Sequence, residues 1–257
     1  MTELAETAPA PPTVRAAVKR IAIVPARNEE ASIRQVIAGI QRFDPNFEVV
    51  VIDDGSADRT AAVAEAAGAR VVRLPFNLGI GGAVQTGFQY ALEHGFQLAV
   101  RLDGDGQHDP GELPALLEPV LSGRADIAVG SRFAGSGEYR PPFARRIGIT
   151  LFSRLVSLLV RQHVTDTTSG FQALNRRGIR LFAADYPHDY PEVEAVVMVF
   201  KHRLRLEEVP VHMRERAAGS SSITAVRSIY YMAKVSLALF VGLFRRHVTP
   251  LEEELDS

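Results

Sequence analysis

Two acids separated by a single glycine, Asp103-Gly104-Asp105, close the apolar run that ends in Arg101-Leu102 and open the stretch Gly106-Gln107-His108. Phe96 to Leu102 alternates well enough to be a strand, so a period of two would turn both carboxylates the same way at its C-terminal end. Two hard oxygen donors with no side chain between them suit a divalent cation and leave its outer face open to phosphate oxygens. Gly104 and Gly106 would also let a ligand approach the backbone. A plain Asp-Gly turn is the ordinary alternative. A calcium loop counted from Asp103 fails, because His108 stands where the sixth-position glycine belongs and Pro114 where the twelfth-position acid belongs.

The elements that would position these acids follow a repeating rhythm. Arg20 to Val24 reads as a strand ending at Pro25, followed by Ala26-Arg27-Asn28-Glu29-Glu30 and a helix with Ile33, Val36, Ile37, Ile40 and Phe43 on one face. Glu48 to Ile52 is a second strand, with Asp53-Asp54-Gly55-Ser56 as its turn and a helix from Asp58 to Ala67 stopped by Gly68. Val71 to Leu74 is a third strand. Asn77 to Gly82 opens a helix through Val84, Phe88 and Leu92 that ends near Gly95. A helix from Pro110 to Leu121 and a strand from Ile127 to Gly130 follow the acid pair. Short apolar strands alternating with helices predict a mainly parallel sheet covered on both faces, with its crevice beyond the strands' C-terminal ends. Four of those ends are polar: Arg27-Asn28-Glu29, Asp53-Asp54, Asp103-Asp105 and Ser131-Arg132. Such a series along one edge describes a site.

Beyond Arg132 the pattern loosens. A basic, Pro-containing loop spans Arg140 to Arg146, and Ile147, Leu151, Leu155, Leu158 and Leu159 form an apolar helix face. A polar turn from Asp166 to Gly170 leads into a short apolar segment, Asp189 to Glu194 starts a helix running to about Arg203, and Glu207 to Met213 reads as a late strand. Residues 1–19 read as a tail with no apolar core for a signal peptide, and residues 248–257 as an acidic tail. Residues 20–222 would form one domain. The helix expected at 223–247 is apolar from Ser228 to Phe244 but interrupted by Lys234, short for a membrane span. It is either a core helix or an interfacial one, with Tyr230, Tyr231 and Phe240 at the headgroups and Arg245-Arg246 beside anionic lipid.

Composition narrows the chemistry. A net charge of -1 offers no surface for nucleic acid, and the absence of cysteine removes disulfides, thiolate metal sites and cysteine nucleophiles. Only Lys19, Lys201 and Lys234 of the 29 basic residues are lysine, and guanidinium is the better fork for phosphate. A dinucleotide fingerprint at Gly79-Ile80-Gly81-Gly82-Ala83-Val84 lacks its third glycine, and a nucleotidyltransferase would want a glycine-rich first loop carrying Arg and Lys. A non-catalytic nucleotide-sugar-binding module would not need the full set of acids.

Ile23 to Glu30, Val51 to Ser56, Asn77 to Gly82 and Asp103 to His108, in this order, resemble the family 2 inverting glycosyltransferases of the GT-A fold. Val129-Gly130-Ser131-Arg132, Thr167 to Phe171, Glu208 to Val211 and Arg216 to Ser222 are similar to the dolichol-phosphate and polyprenyl-phosphate mannosyltransferase branch. The resemblance covers residues 20–225. It implies a mixed α/β GT-A domain in which Pro25, Ala26, Arg27, Asn28, Glu29, Asp54 and Gly79 bind the donor nucleotide, a UDP- or GDP-linked sugar. It implies that Asp103, Gly104 and Asp105 meet the ribose and a Mg2+ or Mn2+ ion, with Gln107 as a further ligand, and that the acceptor is a lipid phosphate or a saccharide hydroxyl. Arg132, Arg145, Arg146, Ser169 and Arg216 become candidates for the anionic acceptor or the diphosphate. Asp105 and Arg132 stand beside Glu194 as the catalytic set, and Glu194, ahead of Glu192 and Asp189, would be the base if a hydroxyl attacks. A cytoplasmic protein in peripheral contact with a membrane is the matching location. Two positions depart from the family pattern: Arg27 replaces a common tyrosine, and Ser220-Ser221-Ser222 stands where Ser-Lys is frequent.

Overall fold

The computed structural model of the chain describes residues 18–134, 153, 157, 165–166, 169–187 and 191–214. Arg145, Arg146, Asp189, Arg216, the turn at 167–168, the basic loop at 140–146, the N-terminal tail and the expected helix at 223–247 with its acidic tail lie outside the described residues.

Seven strands form one sheet: β1 Arg20–Ala26, β2 Phe47–Asp53, β3 Arg70–Arg73, β4 Leu98–Arg101, β5 Ile127–Ser131, β6 Gln172–Asn175 and β7 Leu206–Pro210. Their order is β3-β2-β1-β4-β6-β5-β7. All pairings are parallel except those of β6, which runs antiparallel to both β4 and β5. From the sequence this segment shows only as a short apolar run. A strand of four residues, three of them buried, has no alternation to reveal its direction. The fold is the expected mixed α/β arrangement.

The strands are apolar along their whole length because both faces are covered. In β1, Ile21 and Ile23 pack on one face with Val50 and Ile52 of β2, while Ala22 and Val24 pack on the other with Val49 and Val51. The helices are α1 Ile33–Phe43, α2 Thr60–Ala66, α3 Gly79–Glu93, α4 Leu113–Leu121, α5 Arg176–Ala184 and α6 Pro191–Lys201, with a 3-10 turn at Pro110–Glu112 before α4. Ile33, Val36, Ile37 and Ile40 make α1's buried stripe at helical spacing. On the opposite face Phe88 of α3, Phe182 of α5 and Tyr186 meet with ring centroids 5.0–5.9 Å apart. Burying each such ring contributes about 2–3 kcal/mol before entropy is counted.

Helix α5 was not foreseen, because Arg176, Arg177, Gly178 and Arg180 mask a stripe of Ile179, Leu181, Phe182 and Ala183 that is buried in the fold. Its start is marked by Asn175, whose side chain accepts from the amides of Arg177 and Gly178. Within α3, Gly87 serves packing. A Cβ on Gly87 would stand 2.3 Å from Ile23 Cγ2, so only glycine lets α3 lie so close to β1.

Candidate active site

Parallel pairing in register brings the polar strand ends together. Ala26 of β1 stands beside Asp53 of β2, and Ile23 of β1 beside Arg101 of β4. Past the last ladder residues the chain keeps bonding across the edge: Asp54 N donates to Ala26 O at 3.0 Å, Leu102 N to Ile23 O at 3.1 Å and Gly104 N to Pro25 O at 3.2 Å. A cleft of about 360 Å³ opens here, walled by Pro25, Ala26, Arg27, Glu29, Asp54, Asn77, Gly79, Ile80, Ala83 and Asp103-Gly104-Asp105.

The first loop is pinned to the second. Asn28 takes the left-handed conformation (φ 56°) that asparagine tolerates, accepts from Ala57 N at 2.8 Å and donates its own amide to Ser56 Oγ at 3.0 Å. The amide of Glu29 donates to Thr60 Oγ1 at 2.8 Å. Arg27 is exposed on the rim.

Asp54 is only 4% exposed, and both of its carboxylate oxygens are engaged: Leu78 N donates to Oδ1 at 2.6 Å and Gly79 N to Oδ2 at 3.0 Å. A carboxylate therefore sits on the positive end of α3, satisfying amides that have no partner within the helix. That geometry also disposes of the dinucleotide alternative, since the place a pyrophosphate would take at this helix end is filled by the chain's own anion.

Asp103 and Asp105 both reach the cleft, although not by strand alternation, because β4 ends at Arg101 and residues 103–106 form a turn. The glycines explain the turn. A Cβ on Gly104 would stand 3.0 Å from Ala26 Cβ and 3.2 Å from Pro25 O, so the turn packs directly on the end of β1. Gly106 has φ +79°, a conformation that glycine adopts without strain. Ser32 Oγ donates to Gly104 O at 2.7 Å, and Asp105 Oδ1 accepts from Gln107 N at 3.0 Å. The Asp103 side chain is 35% exposed. Two hard carboxylates facing one cleft fit a divalent cation. Among the described residues no group of three or more Asp, Glu or His side chains gathers there, so an ion held by this pair would complete its shell from ligand oxygens, an arrangement that suits Mg2+ or Mn2+.

Beneath the acids lies a residue the sequence reading passed over. Arg101, 1% exposed in the middle of the sheet, donates from Nη1 to Tyr186 Oη at 2.9 Å and from Nη2 to Glu192 Oε1 at 3.1 Å, with Asp103 Oδ1 3.5 Å from Nη2. Its ionisation is pulled down by burial but more than restored by Tyr186, Asp103 and Glu192, so it stays charged; burial drives the Tyr186 phenol upward and keeps it neutral. His108 is buried and neutral: desolvation lowers its pKa, Asp103 pulls the other way, and Nδ1 accepts from Asp103 N at 3.0 Å, which leaves the proton on Nε2. Its ring stacks on Phe171 with centroids 5.0 Å apart.

The acceptor candidates fall into separate surroundings. Arg132 forms a bidentate fork with Asp166, Nε to Oδ2 at 2.8 Å and Nη2 to Oδ1 at 3.0 Å. Glu208 of β7 in turn accepts from the amides of Thr165 and Asp166 at 2.7–2.9 Å. The Ser169 hydroxyl is buried and accepts from Phe171 N. Glu192 and Glu194 both lie in the first turn of α6, and Glu192 touches the Arg101–Asp103 cluster. The chain after β7 returns to the acid motif, where Arg214 N donates to Gln107 O at 2.9 Å and its guanidinium pairs with Asp109.

The comparisons agree with this picture. The family described as Glycosyl transferase family 2 matches residues 21–182. The chain is 31% identical to the undecaprenyl-phosphate mannosyltransferase of Micrococcus luteus, over 79% of this chain and 87% of that protein. It is 29% identical to the polyprenol monophosphomannose synthase of Mycolicibacterium smegmatis, over 88% and 89%. The crystal structure of glucosyl-3-phosphoglycerate synthase from Mycobacterium tuberculosis in complex with Mn2+, UDP and glucosyl-3-phosphoglycerate superposes with a TM-score of 0.65 at 24% identity, covering 88% of this chain and 80% of that one, a likeness of fold.

Proposed function

The chain belongs to glycosyl transferase family 2 and is a glycosyltransferase, and from that premise we propose that it moves a sugar from a nucleoside-diphosphate sugar to a polyprenyl phosphate. The observation that carries the donor half is the cleft at the sheet edge in which Asp103 and Asp105 face the pinned first loop and the start of α3. The acceptor half rests on relatives named for polyprenyl-phosphate acceptors that align over most of both chains.

In this reading Pro25 to Glu29, Asn77 and Gly79 hold the base and ribose. Asp54 shapes the same wall by holding α3 in place. Asp103 and Asp105, with Gln107, would hold Mg2+ or Mn2+, and such an ion supplies positive charge that stabilises the departing diphosphate. An acceptor oxygen forms the new bond to the anomeric carbon as the bond from that carbon to the diphosphate breaks, and the nucleoside diphosphate leaves with the electron pair. A lipid phosphate arrives already ionised, so the chain's task is to position and desolvate it, and no side chain needs to take a proton. Arg132, braced by Asp166 and Glu208, and Arg145, Arg146 and Arg216 are the cations proposed for that anion. A saccharide hydroxyl is the second reading. It would require a carboxylate base, and two acids in the first turn of α6 make Glu194 the residue to test.

No helix among the described residues is long and apolar enough to cross a membrane. Peripheral attachment on the cytoplasmic face, through the segment at 223–247, is the placement that suits a lipid acceptor. The decisive assay offers the purified protein UDP- and GDP-sugars against polyprenyl phosphate in vesicles and against saccharide primers, and asks whether the protein floats with the vesicles. Transfer confined to saccharide hydroxyls refutes the lipid-phosphate acceptor. Flotation unchanged by removal of residues 223–257 refutes the attachment.

A further inference from the structure

A charged side chain buried inside a sheet needs a reason. Arg101 is the last residue of β4, its chain neighbours Val100 and Leu102 are fully buried, and its Nε has no hydrogen-bond partner among the described residues. An apolar residue of similar volume would avoid both the desolvation and the orphaned N–H, so stability alone does not account for an arginine here. What the guanidinium does is specific. One terminal nitrogen takes Tyr186 Oη at 2.9 Å, which anchors it to the aromatic cluster under α3 and α5. The other lies 3.1 Å from Glu192 Oε1 and 3.5 Å from Asp103 Oδ1. The chain just before β6 makes room for it: a Cβ on Gly170 would stand 2.8 Å from Arg101 Nη2 and 3.3 Å from Asp103 Oδ1. Gly170 is not in the left-handed region, so this contact, and no backbone demand, is what disfavours a side chain there.

We propose that Arg101 is a positioning residue for the transfer reaction, a buried fork that holds Asp103 of the acid pair and Glu192 of α6 at a fixed separation and so ties the donor edge to the helix carrying Glu194. It rests on the glycosyl-transfer reading of the cleft. A planar guanidinium with one nitrogen clamped by Tyr186 fixes the direction of the other, which a flexible ammonium cannot do. The same link couples α6 to the acid turn, since one guanidinium nitrogen donates to Glu192 and pairs ionically with Asp103. Displacing the fork therefore disturbs both the seat of the nucleoside diphosphate and the approach of the acceptor, and the effect reaches kcat as well as donor affinity.

The test uses the full chain and three variants: Arg101→Met, Arg101→Lys and Gly170→Ala. Binding of UDP and of GDP in the presence of Mn2+ is titrated calorimetrically, kcat and KM are taken for the preferred donor, and the thermal midpoint of each protein is recorded. Arg101→Met is expected to raise the nucleotide dissociation constant on the order of tenfold and to lower kcat by a similar or larger factor. Arg101→Lys should recover affinity in part, since charge is kept, but not kcat, since the fork is lost. Gly170→Ala keeps Arg101 and adds one methyl against the fork, so it should reproduce the loss in a protein that still folds even if Arg101→Met does not. Unchanged dissociation constants and kcat in folded Gly170→Ala and Arg101→Lys, with only the thermal midpoint lowered, would reduce Arg101 to a structural residue and overturn the proposal. If the unaltered protein binds neither nucleotide with Mn2+, the glycosyl-transfer reading of the cleft falls first and the proposal with it.

Discussion

Replacing Asp54 with asparagine separates two roles that one carboxylate could play. Its two oxygens accept from Leu78 N at 2.6 Å and Gly79 N at 3.0 Å, and the residue is 4% exposed. Asparagine keeps the shape but offers a single acceptor, so one of those amides loses its partner and faces an NH2 group. A hydrogen bond to a charged group contributes about 1.5–3 kcal/mol. The vanished charge at the start of α3 adds about 0.3–2 kcal/mol. Because the carbonyl oxygen of asparagine still satisfies one amide, the net cost should be about 2–4 kcal/mol. In a chain of this size about 1 kcal/mol moves the thermal midpoint by roughly 2–4 °C, so Asp54→Asn should melt roughly 5–15 °C lower. Calorimetric scanning and urea unfolding measure that directly, and nucleotide titration on the same protein measures the other role. A melting point within about 2 °C of the unaltered protein, together with lost nucleotide affinity, would refute the capping argument and make Asp54 a ligand contact first.

Asp105→Ala should abolish Mn2+-dependent heat of nucleotide binding, with the lost bond from Gln107 N costing about 1 kcal/mol of stability; an unaltered titration rejects the metal role. Glu194→Gln should leave most of the rate if the acceptor is a lipid phosphate and nearly none if it is a sugar hydroxyl, which a transfer assay with both acceptors decides. Asp126 is buried at the opposite end of β5, and burial, which raises its pKa, is outweighed by bonds from Arg205 and Asn175 and the charge of Arg177. Its folded pKa is thus depressed, so its stabilisation is complete above about pH 4 and is lost as pH falls through the folded value. Urea unfolding at pH 5 and pH 3 should show a steep acid loss in the unaltered protein and a shallower one in Asp126→Asn.

Hydrophobic patterning made most of the framework legible before any coordinates. Ile21 to Val24 and Val49 to Ile52 are continuous apolar runs because both faces of a parallel strand are covered, and α1 shows its stripe because only one face is. Punctuation by Pro25, Gly55 and the Asp-Gly pairs placed the polar strand ends on one edge, which is why the cleft could be anticipated from residues far apart in the chain. Element boundaries at β1, β2 and β5 moved by one or two residues, as expected where pairing, and not side-chain type, sets the end of a strand.

Other features had no local signal. The reversed direction of β6 depends on which strands flank it, and so short a buried run reads the same either way. Helix α5 has no clear local signal because three arginines and a glycine crowd its first five residues, and its apolar stripe gains meaning only once its partners Phe88 and Tyr186 are in place. That Asp54 accepts from the amides at the start of α3 had no local signal, because those amides lie 24 and 25 residues on. Arg101 carried no signal as a site residue, since an arginine at a strand end is ordinary until Tyr186 and Glu192, 85 and 91 residues away, are folded against it. The amino-acid sequence by itself determined the layered α/β frame, the edge on which the acids converge and the family to which they point, because periodicity and turn chemistry are local. Only the tertiary structure decided which of those polar groups bond to distant parts of the chain, because a hydrogen bond between distant segments exists only once the sheet has set its register.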